Sequence, residues 1–113
     1  MSDIRYYLTG PTAGLPNNNI ASFDEAYGTL LRKNCNLQNP MDYLSSNAQR
    51  MNALLDADAV IVLPAWGRDD IAKGEILVAT LLGKPVYAYH QYRPEVLEKL
   101  NNIKIVTRAE VLA

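Results

Sequence analysis

The chain is poor in the residues that build disulfides and zinc sites. Its 113 residues include one cysteine, Cys35, and one histidine, His90. A single cysteine excludes an internal disulfide, and these two side chains cannot complete a tetrahedral Cys/His zinc site. We therefore expect no metal centre. The absence of a disulfide framework is typical of a cytoplasmic protein.

Long apolar runs and an excess of charge of one sign are also missing. No apolar stretch approaches the ~20 residues of a membrane-spanning helix, and residues 1–5 lead straight into a strand pattern rather than a signal peptide. The formal net charge is −1, whereas a broad nucleic-acid surface normally needs clustered Lys and Arg. We expect neither a membrane nor a nucleic-acid partner.

Three familiar ligand and catalytic motifs are absent as well. The chain has no phosphate-binding Gly-x-x-x-x-Gly-Lys-Ser/Thr loop and no Gly-x-Ser-x-Gly nucleophile elbow. Gly10 and Gly14 lack the spacing of a dinucleotide fingerprint. A flavin site would favour a loop rich in Ser and Thr after the first strand, and Thr9 and Thr12 give that idea little support. We expect no cofactor.

Apolar residues make up 49% of the chain, enough for the core of one domain spanning residues 1–113. Strand and helix patterns alternate along it, which predicts an α/β fold with an open, mostly parallel five-stranded sheet and helices on both faces. The predicted strands are 4–9, 36–39, 59–63, 86–89 and 103–106. Helices are predicted over 22–33, 70–82 and 94–100, with a final turn at 108–112, and a further helix starts at Ser46 or Asn47 and includes Leu55.

Local signals set the predicted helix boundaries. Ser22 is a candidate N-cap with Glu25 three positions on, the pattern of a capping box. Pro94 suits the first position of a helix. The side chains expected to face the core from the first two helices are Phe23, Ala26, Tyr27, Leu30, Leu31, Met51, Leu54 and Leu55.

Glu75 is the leading candidate for chemistry. It follows the strongest strand pattern, at 59–63, and shares an apolar helical stripe with Ile71, Val78, Ala79 and Leu82. A carboxylate facing a sheet costs desolvation energy unless it is paired or used, which suits a nucleophile or a general base. The alternative is a structural ion pair with a Lys or Arg, or a position just off the buried stripe.

In a parallel sheet, ligands bind at the carboxyl ends of the strands. The segments expected at that edge are Thr9-Gly10-Pro11, Asn39-Pro40-Met41, Pro64-Ala65-Trp66 and His90-Gln91-Tyr92. A Trp66 ring at a pocket mouth could stack on a base or a sugar, or it could serve packing alone. The long loop at 10–19 is rich in turn residues, and such loops often bind ligands.

Taken together, these residues resemble a known family. The opening comprises Tyr7-Leu8-Thr9-Gly10-Pro11, Gly14-Leu15-Pro16, Asn19 and Phe23, and the later part comprises residues 54–60, Leu63-Pro64-Ala65-Trp66, Glu75, Ala79 and Gly83-Lys84-Pro85-Val86. Over roughly residues 4–90 the chain is similar to small bacterial and phage proteins related to the nucleoside 2-deoxyribosyltransferases.

This resemblance implies a flavodoxin-like, doubly wound sheet and cleavage of the N-glycosidic bond of a deoxynucleoside or its monophosphate. Glu75 matches the glutamate that attacks the sugar C1′ to form a covalent intermediate, which water or a second base resolves. Tyr7 matches an aromatic residue beside the sugar and the glutamate. Gly10 matches a glycine that lets the chain pass close to the ligand.

Two positions depart from the family pattern. Relatives usually carry an Asp where this chain has Arg50, eight residues before Asp58, and that Asp helps protonate the leaving base or orient the sugar. Relatives that bind a 5′-phosphate often carry Ser-x-Gly where this chain has Asp69 and Ile71. Asp69 would repel a phosphate, whereas an Arg50 pointing into the cleft would bind an anion and hold Glu75 ionised. The nearest acids that could replace the missing one are Asp42, Asp69 and Asp70.

Of three hypotheses about function, a purely structural or interaction protein without a ligand in its cleft is disfavoured by Glu75, the Gly10-Pro11 loop and Trp66. Two hypotheses remain. One is an N-glycosidase or deoxyribosyltransferase with Glu75 and Tyr7 as catalytic residues. The other is a noncatalytic protein that binds a nucleotide or a nucleotide-derived signal in a degenerate site. In both, the substrate-binding residues would be Thr9, Gly10, Pro11, Asn19, Arg50, Trp66 and Asp69. Relatives of this kind usually form homodimers or larger homo-oligomers, for which Tyr87, Tyr89 and Tyr92 are candidate interface residues.

Overall fold

The computed structural model describes residues 4–12, 19–33, 35–37, 47–90 and 97–100. These residues form five strands and three helices. In chain order they are β1 (Arg5–Thr9), α1 (Ile20–Arg32), β2 (Asn36–Leu37), α2 (Asn47–Asp56), β3 (Ala59–Val62), α3 (Asp70–Leu81), β4 (Val86–Tyr89) and β5 (Leu97–Lys99). None of the helices in this part of the chain has the length and apolar character needed to cross a bilayer.

The strands form one mixed sheet in the order β2-β1-β3-β4-β5. β1 pairs in parallel with β2 and with β3, and β3 pairs in parallel with β4. Only β5 runs antiparallel, against β4. All four residues of β3 are buried, as expected for a central parallel strand covered on both faces.

Side chains that alternate along the strands build a separate core on each face of the sheet. Tyr7, Val60, Val62 and Val86 pack with Leu54 of α2 and with Ile76 and Ala79 of α3. Leu8, Ile61, Leu63 and Tyr89 pack with Phe23, Ala26 and Leu30 of α1. Helices therefore cover both faces of the sheet, as the sequence predicted. The structure shows that α1 covers one face and that α2 and α3 cover the other.

The Gly-Lys-Pro-Val segment that closes α3 has a structural role. Gly83 adopts a left-handed conformation with φ of 73°, and its N–H bonds to the Thr80 carbonyl at 3.1 Å. This is how helices commonly end, because glycine enters that region without a steric penalty. Lys84 then donates to the carbonyls of Leu55 and Ala57, which lie at the end of α2.

The predicted helix over 94–100 is wrong, because Leu97–Lys99 forms β5. The N–H of Leu100 bonds to the Val86 carbonyl at 2.8 Å, and Leu97 packs against the core on the α1 side. Pairing with the exposed edge of β4 thus overrides a local helix pattern. The predicted strand at 103–106 and turn at 108–112 lie outside the described residues, as do Pro94 and Tyr92.

The predicted capping box is also wrong. α1 begins at Ile20, and its N-cap is Asn19 in a left-handed conformation, so Ser22 lies inside the helix. Three side chains predicted to be buried are exposed: Leu31, Leu55 and Leu82. Leu82 lies just past the end of α3.

Candidate functional site

The start of α3 positions Glu75 at the carboxyl edge of the sheet. The Asp69 side chain caps this helix by accepting a hydrogen bond from the Ala72 N–H at 2.8 Å. Glu75 lies in the second turn, between Ala72 and Ile76, which are both fully buried. Only 2% of Glu75 is exposed. The prediction that this carboxylate faces the sheet is confirmed.

Three side chains from two other elements converge on the Glu75 carboxylate. Tyr7 and Thr9 project from the same face of β1, since they are two residues apart in a strand. The Tyr7 hydroxyl donates to Oε2, and the Thr9 hydroxyl donates to Oε1 at 2.6 Å. Arg50 Nη2 of α2 donates to Oε1 at 2.7 Å and forms a salt bridge with it.

Arg50 also orders the two hydroxyl groups. Its Nε donates to the Tyr7 oxygen and its Nη2 to the Thr9 oxygen, both at 3.3 Å. Each hydroxyl therefore accepts from Arg50 while donating its own proton to Glu75. In such a chain each bond polarises the next, so the four groups act as one unit.

These donors compensate the charge of the Glu75 carboxylate but do not occupy all of its lone pairs. An ionised carboxylate offers about four lone-pair positions. Oε1 accepts from Thr9 and Arg50, whereas Oε2 accepts from Tyr7 alone among the described donors. Oε2 therefore retains accepting, or nucleophilic, capacity, while Oε1 serves as the anchored oxygen.

Burial and charge fix the protonation of the partners. Burial raises the pKa of the Tyr7 hydroxyl, and the neighbouring Glu75 carboxylate raises it further, against a smaller opposing effect of Arg50. Burial lowers the pKa of Arg50, but the Glu75 charge and hydrogen bonds to Tyr7 and Glu75 outweigh it, so the pKa rises overall. Tyr7 is thus a proton donor and Arg50 a permanent cation at neutral pH.

A family model, "Domain of unknown function (DUF4406)", matches residues 4–88. The chain belongs to the DUF4406 family. The matched region runs from β1 to β4, and so contains Tyr7, Thr9, Arg50 and Glu75 together. No curated protein matches the chain.

Arg50 therefore reaches the proposed centre of this DUF4406 domain and does not point to solvent. α2 packs between β1 and α3 through Leu54, and the first turn of α2 places the guanidinium over Tyr7 and Thr9. The sequence predicts that an Arg50 pointing into the cleft holds Glu75 ionised, and it leaves open a structural ion pair with another Lys or Arg. The structure assigns Arg50 as the partner of Glu75.

Asp69, a substrate-binding candidate from the sequence, has a structural role. Its carboxylate caps α3 and accepts a hydrogen bond from the Thr12 backbone N–H at 3.3 Å, which ties the loop after β1 to the start of α3. Asp70 lies outside the core, where it pairs with Lys73 at 3.2 Å. Asp42 lies outside the described residues.

Contacts of Gly10, Pro11 and Asn19 shape the loop that follows β1. A Cβ added at Gly10 would approach the Leu63 Cβ to 2.6 Å, so close packing against the end of β3 is sufficient to require glycine there. The Asn19 side-chain amide donates to the Pro11 carbonyl at 2.8 Å. This contact joins the end of β1 to the first turn of α1 and shapes the rim of the sheet.

Trp66 opens the short 3₁₀ turn Trp66–Arg68 after β3. Ala65 before it has φ of 67°, a left-handed conformation that turns the chain sharply at the strand end. The Trp66 ring is half-buried and packs against the core cluster that contains Tyr7 and Val62, on the Glu75 side of the sheet. It therefore combines a packing role with a partly open surface beside the site.

The structure adds a feature that the sequence patterns did not indicate. A cavity of about 180 Å³ opens at the same edge of the sheet but on the α1 face, lined by Pro11, Asn19, Ser22, Glu25, Leu63, Pro64, Ala65 and Tyr89. Ser22 and Glu25 are one helical turn apart, a spacing that could have predicted a shared face. The described residues contain no group of three or more His, Cys, Asp and Glu side chains arranged to hold a metal ion.

Proposed function

We propose that this domain is flavodoxin-like and cleaves the N-glycosidic bond of a small deoxynucleoside or nucleoside monophosphate. The observation that carries the proposal is the buried Glu75 carboxylate, held by Tyr7, Thr9 and Arg50 at the carboxyl edge of the sheet. The strand order matches that of flavodoxin-like sheets, whose ligands bind at this edge.

In the proposed reaction, Oε2 of Glu75 attacks the sugar C1′. The C1′–O bond to Glu75 forms as the C1′–N bond breaks, and the base leaves with that electron pair and takes up a proton from solvent. Water, or a second base, then attacks C1′ and releases Glu75 as a carboxylate, with the proton of the attacking group lost to solvent. Oε2 is assigned because it carries a single described donor, whereas Oε1 carries two.

Each of the three residues that donate to Glu75 has a role in this reaction. Arg50 supplies a positive charge that compensates the buried carboxylate and stabilises it as the leaving group of the second step. Tyr7, whose pKa is raised, keeps its proton and orients Oε2. Thr9 fixes the rotation of the carboxylate through Oε1. Positioning of this kind is a major source of rate enhancement.

The test is base release from a panel of deoxynucleosides and their monophosphates, followed by chromatography. Release by the wild type and its loss in Glu75→Gln are expected, together with a deoxyribosyl adduct on Glu75 in the intact mass after acid quenching. Glu98→Gln makes the same change at an exposed carboxylate and is expected to keep activity. Release that survives Glu75→Gln would refute the assignment of the nucleophile.

A noncatalytic binding protein is the second candidate. It is favoured by the direct 2.7 Å salt bridge between Arg50 and Glu75, in the position where relatives carry an acid. An ion pair of this kind can serve the fold alone. A nucleotide that raises the melting temperature without any release of base would support this candidate over the enzyme.

We also propose that the domain forms a homodimer. The tyrosines named from the sequence fit this role poorly, because Tyr89 is buried in the core and Tyr87 stacks edge-on against Tyr6. Exposed leucines on the two helices of the Glu75 face are better candidates: Leu55, Leu77, Leu81 and Leu82. Light scattering of the wild type and of Leu81→Glu, at the most exposed of them, tests this arrangement.

A further inference from the structure

The cavity on the α1 face lies where the fold predicts a ligand. The chain leaves β1 towards β2 on one side and returns to β3 on the other, so the order of strands switches between β1 and β3. Crevices at such switch points, outside the carboxyl ends of the strands, are the usual ligand sites of open α/β sheets. Pro11 follows β1, and Leu63, Pro64 and Ala65 follow β3, so the cavity lies at this switch.

The size of the cavity limits its ligand. At about 180 Å³ it is smaller than the ~300–1,000 Å³ of sites for drug-sized molecules. It therefore suits one planar ring system and excludes a whole nucleotide. Pro11, Leu63, Pro64 and Ala65 provide apolar walls for the faces of such a ring.

The polar lining selects for hydrogen-bond donors. Glu25 supplies a carboxylate, which accepts and cannot donate when ionised. The Tyr89 hydroxyl lies at 3.5 Å from Glu25 Oε1, too far for a strong bond, so it leaves the carboxylate available. The amide nitrogen of Asn19 is engaged with Pro11. A phosphate would be repelled here, whereas two adjacent N–H groups would pair with both oxygens of Glu25.

The cavity and Glu75 lie at the same edge of the sheet, on opposite faces, and the chain that follows β1 connects them. Thr9 donates to Glu75, and Pro11, two residues later, lines the cavity. Two residues of chain span at most about 7 Å. The backbone positions of Thr9 and Pro11 therefore lie within that distance of each other at the edge of the sheet.

We propose that this cavity binds a nucleobase of the guanine type, with Glu25 accepting the ring N–H and the adjacent amino group. The placement of the sugar at Glu75 rests on the proposed function, whereas binding of the base itself does not. Glu25 is thus a specificity-determining residue, and adenine and hypoxanthine bind less tightly because each lacks one of the two adjacent donors.

Calorimetric titration with 9-ethylguanine and 9-ethylhypoxanthine tests this site. Neither compound has a glycosidic bond, so the result is independent of whether the domain cleaves nucleosides. The wild type is expected to prefer the guanine derivative by about fivefold or more, since hydrogen bonds to charged groups are the stronger ones. In Glu25→Gln the preference is expected to disappear.

Two further variants keep the test decisive. Asp24→Asn removes a neighbouring exposed carboxylate of α1 that does not line the cavity, and it should leave the preference unchanged. Ser22→Leu fills the cavity from an exposed helical position and should abolish binding of both compounds. Equal affinities in the wild type, no binding at all, or a preference that survives Glu25→Gln would overturn the proposal.

Discussion

The ion pair between Arg50 and Glu75 makes the sharpest prediction about stability. The two side chains are 11% and 3% exposed, so solvent screens their interaction little. At an N–O separation of 2.7 Å and an effective dielectric constant of about 20, the Coulomb attraction is about 6 kcal/mol. The cost of desolvating both charges offsets much of it.

Replacing Arg50 with Met should therefore be severe. It removes the charge and leaves Glu75 buried with two hydroxyl donors, a situation that costs about 3–5 kcal/mol. Domains of this kind have a total stability of about 5–15 kcal/mol. Urea unfolding at pH 7, followed by Trp66 fluorescence, should show the midpoint falling by more than about 1 M.

A double-mutant cycle separates lost charge from lost packing. Glu75→Gln in the Arg50→Met background removes the uncompensated charge, so the double variant should be more stable than Arg50→Met alone by about 2 kcal/mol or more. Arg5→Met is the matched control, because Arg5 and Asp58 form a pair in which the side chains are 48% and 49% exposed. Its effect should be small.

The reasoning would be refuted by an Arg50→Met variant as stable as the wild type. It would equally be refuted by a double variant whose loss equals the sum of the two single losses. Either result would mean that the charges of Arg50 and Glu75 are not coupled in the native state, and that solvent reaches the carboxylate.

Substitutions at Gly10, Asp69 and Tyr7, with a control at Gly74, probe the surroundings of the site. Gly10→Ala should lower the free energy of unfolding in urea by about 1–3 kcal/mol, because its Cβ would meet the Leu63 Cβ at 2.6 Å. At the control position Gly74 an added Cβ meets nothing within 4 Å. Gly74→Ala should therefore raise the free energy of unfolding by about 0.5–1 kcal/mol. Asp69→Ala should lose about 1 kcal/mol with its N-cap, and Asp69→Asn should retain most of it. The raised pKa of Tyr7 means that the native chain keeps a proton that the unfolded chain releases above pH about 10, so stability should fall as pH rises beyond that value. Tyr7→Phe should show a shallower fall between pH 9 and 11, and an identical slope would contradict the assigned direction.

Much of the fold could be predicted from local pattern. The apolar run at 59–63 identified the central strand. The alternation of strand patterns with helix patterns along the chain identified a mostly parallel sheet with helices on both faces. Glu75 stood out because a charge on an apolar helical stripe is conspicuous within a single element. Such signals are local, since they depend on periodicities of 2 and 3.6 residues.

Partnerships between distant segments could not be predicted in the same way. β5 forms because β4 offers it an edge, although residues 94–100 by themselves favour a helix. Ser22 and Glu25 have the spacing of a capping box, yet α1 begins earlier, with Asn19 at the N-cap position, and they line a cavity instead. In both cases backbone hydrogen bonds or packing contributed by another element outweigh a weak local preference.

The amino-acid sequence by itself determined that a carboxylate would be buried beside a parallel sheet and would need compensation. Only the tertiary structure decided that Arg50, 25 residues earlier, provides it together with Tyr7 and Thr9. The reason is physical. The periodicity of a helix by itself shows that a charge lies on the buried face, and burial carries a desolvation cost. The identity of its partner depends on where α2 docks against β1 and α3.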